Sequence, residues 1–87
     1  MTKFEKMEKM LEDAGYEECY DYDWFGVYKW DDICIRLNTT TGEPEDRYVL
    51  PEALRFREDV WGLEYDIDKM EDDFKYFCEE WEKLQEE

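Results

Sequence analysis

Between Asp66 and Glu86 the large apolar residues Ile67, Met70, Phe74, Phe77, Trp81 and Leu84 follow one another at intervals of three, four, three, four and three. That is the period of an α-helix with one buried stripe. At ~1.5 Å rise per residue the helix is roughly 30 Å long, about the width of a small domain. Outside the stripe every residue is polar apart from Tyr76 and Cys78, and most are acidic. The rest of the chain is therefore expected to pack against this helix, and the helix to turn carboxylates outward.

A chain of 87 residues is expected to form one domain, residues 1–87. Such a chain buries only ~60–65% of the surface that its unfolded form exposes. The 4 Trp, 7 Tyr and 5 Phe offset that shortage, because each buries a large area. They also make the chain too apolar for a disordered acidic tail. The formal net charge of −16 is the outlying property. Solubility of a small domain needs a magnitude of only ~2–8. The excess self-repels and points to a basic partner, a halophilic setting or no role at all. Without a basic patch, direct binding to nucleic acid or to an anionic membrane is not expected. Cys19, Cys34 and Cys78 are widely spaced, and histidine is absent, so a zinc site is not expected. Unpaired thiols, no signal-peptide core and no long apolar run together predict a soluble protein of the cytoplasm.

Read in order, Thr2 with Glu5 forms a capping box, and Phe4, Met7, Leu11 and Ala14 share one face of a first helix over 3–14. Gly15 is its left-handed stop. Residues 16–37 are rich in aromatic and β-branched residues and predict two or three strands, with Gly26 as a turn or bulge and Asp31-Asp32 as a tight bend. Ile33, Ile35 and Leu37 alternate onto one face. Asn38 to Asp46 reads as a loop and Arg47 to Leu50 as a short last strand. Pro51 opens a short helix ending at Trp61, Gly62 stops it, and Asp66 caps the long helix. The expected fold is α+β: an N-terminal helix, an antiparallel sheet of about three strands, a short helix, and a long C-terminal helix packed on the sheet.

Catalytic chemistry finds little support. Asp21, Asp23, Gly26 and Asp32 match positions of a calcium-binding EF-hand loop, but Phe25 and Lys29 stand where ligands belong and no helix precedes them. A wet strand face explains the same acids. With 27 carboxylates close pairs are inevitable, and no histidine, phosphate loop or nucleophile motif accompanies them. No enzyme activity, catalytic residue, metal or cofactor is expected. The helix stripe spans under three heptads, and its flank Asp66, Asp73, Glu80 and Glu87 repels a parallel copy, so a monomer is expected over a homodimer.

The acids fall in three clusters. From Glu64 to Glu87 there are 11 acids and 3 lysines. In that segment the columns Asp66, Asp73, Glu80, Glu87 and Asp72, Glu79, Glu86 repeat charge every ~10.5 Å, and Asp68 and Glu82 add to them. Lys69, Lys75 and Lys83 also allow ordinary pairs on a solvated face, Glu71 with Lys75 and Glu79 with Lys83. A second cluster holds Glu17, Glu18, Asp21, Asp23, Asp31 and Asp32 against Lys29, and a third holds Glu43, Glu45 and Asp46. Recurrence in three segments favours a partner-binding surface over a solvated face. Aromatic anchors suit such a surface, and Tyr20, Tyr22, Trp24 and Tyr76 are the candidates, each with a place in the core as its alternative.

In size, charge and order of elements the chain resembles the small acidic inhibitors of bacteriophages and other mobile elements. Some of these are DNA mimics, and the anti-CRISPR proteins among them block RNA-guided nucleases. One group with a helix–three strands–two helices order plugs the site that reads the duplex flanking the target. The resemblance covers the whole chain but is architectural, so no residue role transfers. It implies a bacterial host cytoplasm and a basic nucleic-acid-binding partner, in the first place an RNA-guided CRISPR nuclease, whose Lys- and Arg-lined channel is occupied in place of DNA. Immunity proteins against nuclease toxins have similar size and charge, and a non-enzymatic acidic adaptor is the remaining alternative.

Overall fold

The computed structural model describes residues 1–21, 25–49 and 60–86, without the side chains of 20–21 and 60–66. Its order is α1 (Lys3–Asp13), β1 (Glu17–Asp21), β2 (Phe25–Trp30), β3 (Ile33–Asn38), β4 (Pro44–Val49) and α2 (Val60–Gln85). The four strands form one antiparallel sheet in the order β1-β2-β3-β4. This is the expected α+β class with four strands instead of three. The short helix read over 51–61 lies outside the described residues, apart from Val60 and Trp61, which belong to α2.

Local chemistry accounts for most boundaries. The Thr2 hydroxyl accepts from the Glu5 amide at 3.1 Å, and the Glu5 carboxylate accepts from the Thr2 amide at 3.0 Å, closing the capping box. Gly15 ends α1 with φ of 97°. The Asp31-Asp32 bend joins β2 directly to β3, with Trp30 paired to Ile33 and Asp31 at φ of 51°, a conformation that a short polar side chain tolerates. Asn38 holds the next turn by accepting from the Thr40 and Thr41 amides at 2.8 and 3.0 Å. The loop expected to run to Asp46 ends earlier, because Pro44 starts the edge strand β4 and pairs with Leu37.

The C-terminal helix is longer than its sequence signals suggest. It begins at Val60 and passes through both Gly62 and Asp66, which were expected to be a stop and a cap. A glycine inside a helix costs only ~0.5–1 kcal/mol relative to alanine, and cap preferences are of similar size, so a helix of this length absorbs both. Its 26 residues extend roughly 39 Å, nearly the full 44 Å of the molecule's longest axis.

Helices α1 and α2 cover one face of the sheet. Met7, Leu11, Tyr16, Tyr28, Ile33, Ile35 and Leu37 meet Met70, Phe77 and Leu84 in the core, with Phe4, Met10, Trp30, Val49, Phe74 and Trp81 at its margin. Met70, Phe77 and Leu84 of the stripe are thus buried, Phe74 and Trp81 are half-buried, and Ile67 is 41% exposed; Ala14, expected on the inner face of α1, caps its end and is exposed. The chain folds α1 antiparallel along α2: Lys3 donates to Gln85 at 2.8 Å at one end, and the Tyr16 hydroxyl donates to Asp73 at 2.7 Å toward the other.

Candidate functional site

Burial of Met70, Phe77 and Leu84 fixes the rotation of α2 and so decides which acids face water. Asp68, Asp72, Glu79, Glu82 and Glu86 lie opposite that stripe and are exposed. None of them pairs with a described lysine or arginine. Together they form a crest roughly 27 Å long, interrupted by Lys75 and bordered by Tyr76 and Lys83. No helix among the described residues is long and apolar enough to cross a membrane.

Asp73 and Glu80 of the other predicted column are not part of this crest. Asp73 accepts from the Tyr16 hydroxyl and from Lys69 Nζ, both at 2.7 Å, and its side chain is only 26% exposed. Glu80 is held by Lys83 at 3.1 Å and is 22% exposed. Asp66 is in the helix with its side chain outside the description, and Glu87 lies outside the described residues. Asp73 and Glu80 therefore serve the fold and local charge balance, because their positions border the buried stripe. The Glu79–Lys83 and Glu71–Lys75 pairs that the spacing allows are replaced by Glu80–Lys83 and by Glu71–Arg47.

The Arg47 contact carries the clearest electrostatics of the helix. Its Nε and Nη2 donate to Glu71 at 3.0 and 2.9 Å, a bidentate pair, while the guanidinium lies 4.7 Å from the Phe74 ring centroid. The hydrogen bond raises the Arg47 pKa and lowers that of Glu71. Nearby, burial pushes the Cys78 thiol up, and the charges of Glu82, Glu43 and Glu79 push it further. The β3–β4 turn that carries Glu43 lies against α2 here. The tie between them is direct, since Trp81 Nε1 donates to the Thr41 carbonyl at 3.1 Å.

The remaining acids separate. Glu45 is exposed at the register shift opposite Arg36 and Leu37, whereas Asp46 is half-buried, pairs across the strands with Arg36, and accepts from the Arg47 amide at 2.8 Å. The third cluster is thus uneven: Glu43 and Glu45 are exposed, Asp46 is half-buried, and the extra residue at Glu45 interrupts the regular alternation of the strand. From the second cluster, Glu17, Glu18, Asp31 and Asp32 do converge. With Gly15, Cys19, Lys29 and Trp30 they line an open groove of about 410 Å³ between the start of β1 and the β2–β3 bend. Asp21 stands at the other end of β1, paired with Gly26, which is an ordinary strand residue there. Asp23 is outside the described residues.

Among the anchor candidates Tyr76 is 51% exposed at the edge of the crest. Tyr20 lies in β1 with its side chain outside the description, and Tyr22 and Trp24 are outside the described residues. Two features escaped the sequence reading: the Arg47–Phe74–Glu71 contact and the Lys69 ammonium, 4.4 Å over the Trp30 ring. Both join residues distant in sequence, and no local spacing announces them. Compared with protein-family models, with curated proteins and with solved structures, the chain matches none.

Proposed function

We propose that this protein is an acidic inhibitor that occupies the positively charged nucleic-acid-binding cleft of a bacterial defence nuclease, in the manner of an anti-CRISPR DNA mimic, and keeps target DNA out. The observation that carries this reading is the crest of α2. A single long helix holds Asp68, Asp72, Glu79, Glu82 and Glu86 exposed along one line. Its inner face is packed on the sheet, so the charges keep fixed spacings. A groove built for phosphates offers rows of lysine and arginine, and a rigid row of carboxylates meets the same cations. The net charge of −16 also steers the encounter from a distance. No catalytic step enters this account; inhibition is occupancy.

The test is competition. Purified RNA-guided nucleases are incubated with the protein and then offered labelled target duplex. Duplex binding is expected to be lost near stoichiometric protein for the nuclease it inhibits. The double charge reversal Asp72→Lys with Glu79→Lys is expected to restore duplex binding without altering the fold, because both side chains are exposed. Duplex binding that persists at large excess across such nucleases would count against the reading.

A further inference from the structure

We infer that Tyr76, with Asp72 and Glu79, is a docking point for an arginine side chain presented by a basic partner protein. The inference rests on the proposed function and says how the crest would be read.

Helix α2 already holds cations of its own chain in this way. Arg47 reaches it from β4, with the guanidinium 4.7 Å from the Phe74 ring centroid and two hydrogen bonds, at 3.0 and 2.9 Å, to Glu71, three residues before that ring. Lys69 is held by Asp73 at 2.7 Å, with its ammonium 4.4 and 5.9 Å from the Trp30 and Tyr16 ring centroids. Each time, an aromatic face and a helix carboxylate grip one cation.

Tyr76 repeats the arrangement on the solvent side. Asp72 precedes it by four residues and Glu79 follows by three, so both carboxylates flank the ring on the helix surface. The ring is 51% exposed and is braced on Phe77, with centroids 5.4 Å apart and planes at 60°. Neither Asp72 nor Glu79 pairs with a described cation, and Lys83, one heptad beyond Tyr76, donates to Glu80 at 3.1 Å. The acidic groove differs, because Lys29 lies among its carboxylates.

This geometry selects arginine over lysine. A guanidinium is planar, weakly hydrated and able to stack on a ring while bonding a carboxylate through two N–H groups. An ammonium brings one compact, strongly hydrated charge and gains less from the ring.

The probes are nona-arginine and nona-lysine, titrated into the full-length ¹⁵N-labelled protein at about 0.15 M NaCl. The arginine peptide is expected to bind roughly threefold to tenfold more tightly, with amide shifts centred on Asp72, Tyr76 and Glu79. Tyr76→Ala should erase the preference for arginine while thermal melting is retained, and Tyr76→Phe should keep it. Equal affinity for the two peptides, or shifts centred on Glu17, Glu18, Asp31 and Asp32, would overturn the inference. Inhibition of a nuclease is scored separately. If Tyr76→Ala inhibits as well as the parent protein, the docking point is wrong and the proposed function stands. If the peptides behave as expected but no nucleic-acid enzyme is inhibited, the reverse holds.

Discussion

Asp73 and Asp72 are neighbours in sequence with opposite fates. Asp73 is drawn inward by the buried Tyr16 hydroxyl and by Lys69, while Asp72 stays in water as part of the crest. A hydrogen bond to a charged partner contributes about 1.5–3 kcal/mol, so Tyr16→Phe is expected to lower stability by about that amount. For a domain of this size that is a fall in Tm of several degrees or more, read by circular dichroism. An unchanged Tm would mean that the bond contributes nothing net. A second residue-scale constraint sits at Gly42, where φ is 81° and an added Cβ would lie 2.9 Å from the Phe4 amide nitrogen. Gly42→Ala is expected to destabilise by about 1–3 kcal/mol, because both the backbone conformation and the close approach of the turn to α1 oppose a side chain. A neutral result in denaturant unfolding would show that the turn is not closed on α1.

At the scale of elements, α2 is the piece whose extent matters most, because its rigidity sets the spacing of the crest. Its continuity through Gly62 is directly testable. In a continuous helix Gly62→Ala is expected to raise stability by up to ~1 kcal/mol, whereas a left-handed stop at that position would make the same change destabilising. Local signals sufficed for α1 and its capping box, for the alternation of Ile33, Ile35 and Leu37, and for the Met70–Phe77–Leu84 stripe, because each depends on residues within a turn or two. The start of the last strand was harder to see, since Pro44 reads as a loop residue until Leu37 is known to pair with it. The fate of the acids was legible only in part. Their abundance on α2 is plain from the sequence, but which ones remain free depends on Arg47, Lys69 and Tyr16 arriving from elsewhere in the chain. A bidentate, ring-stacked arginine takes Glu71 in preference to the lysine one turn along, and that competition is tertiary.

The whole molecule carries a net charge of −16 on a body 44 × 24 × 19 Å, and that charge makes its stability depend on solvent. Raising NaCl from about 0.01 to 0.5 M shortens the Debye length from ~30 Å to under 10 Å, so Tm is expected to rise as self-repulsion is screened. A falling Tm would mean that the internal ion pairs outweigh the repulsion. Alkaline pH acts through Tyr16 and Tyr28, whose phenols are pushed well up, first by burial and then by hydrogen bonding to Asp73 and Glu8. The fold keeps these protons where the unfolded chain releases them near pH ~10. Their contribution is therefore complete below that pH and declines above it, by about 1.4 kcal/mol per pH unit for each tyrosine. Denaturant midpoints between pH ~9 and ~11 check this. The central claim is that a fixed anionic crest takes the place of a phosphate backbone in a cationic groove. It is tested most directly by the association rate constant with an inhibited nuclease, measured in rising NaCl for the parent protein and for the Asp72→Lys, Glu79→Lys variant. The account predicts a rate that falls steeply with salt and a variant that starts slower and falls less. A rate indifferent to salt, or a variant indistinguishable from the parent, would contradict it.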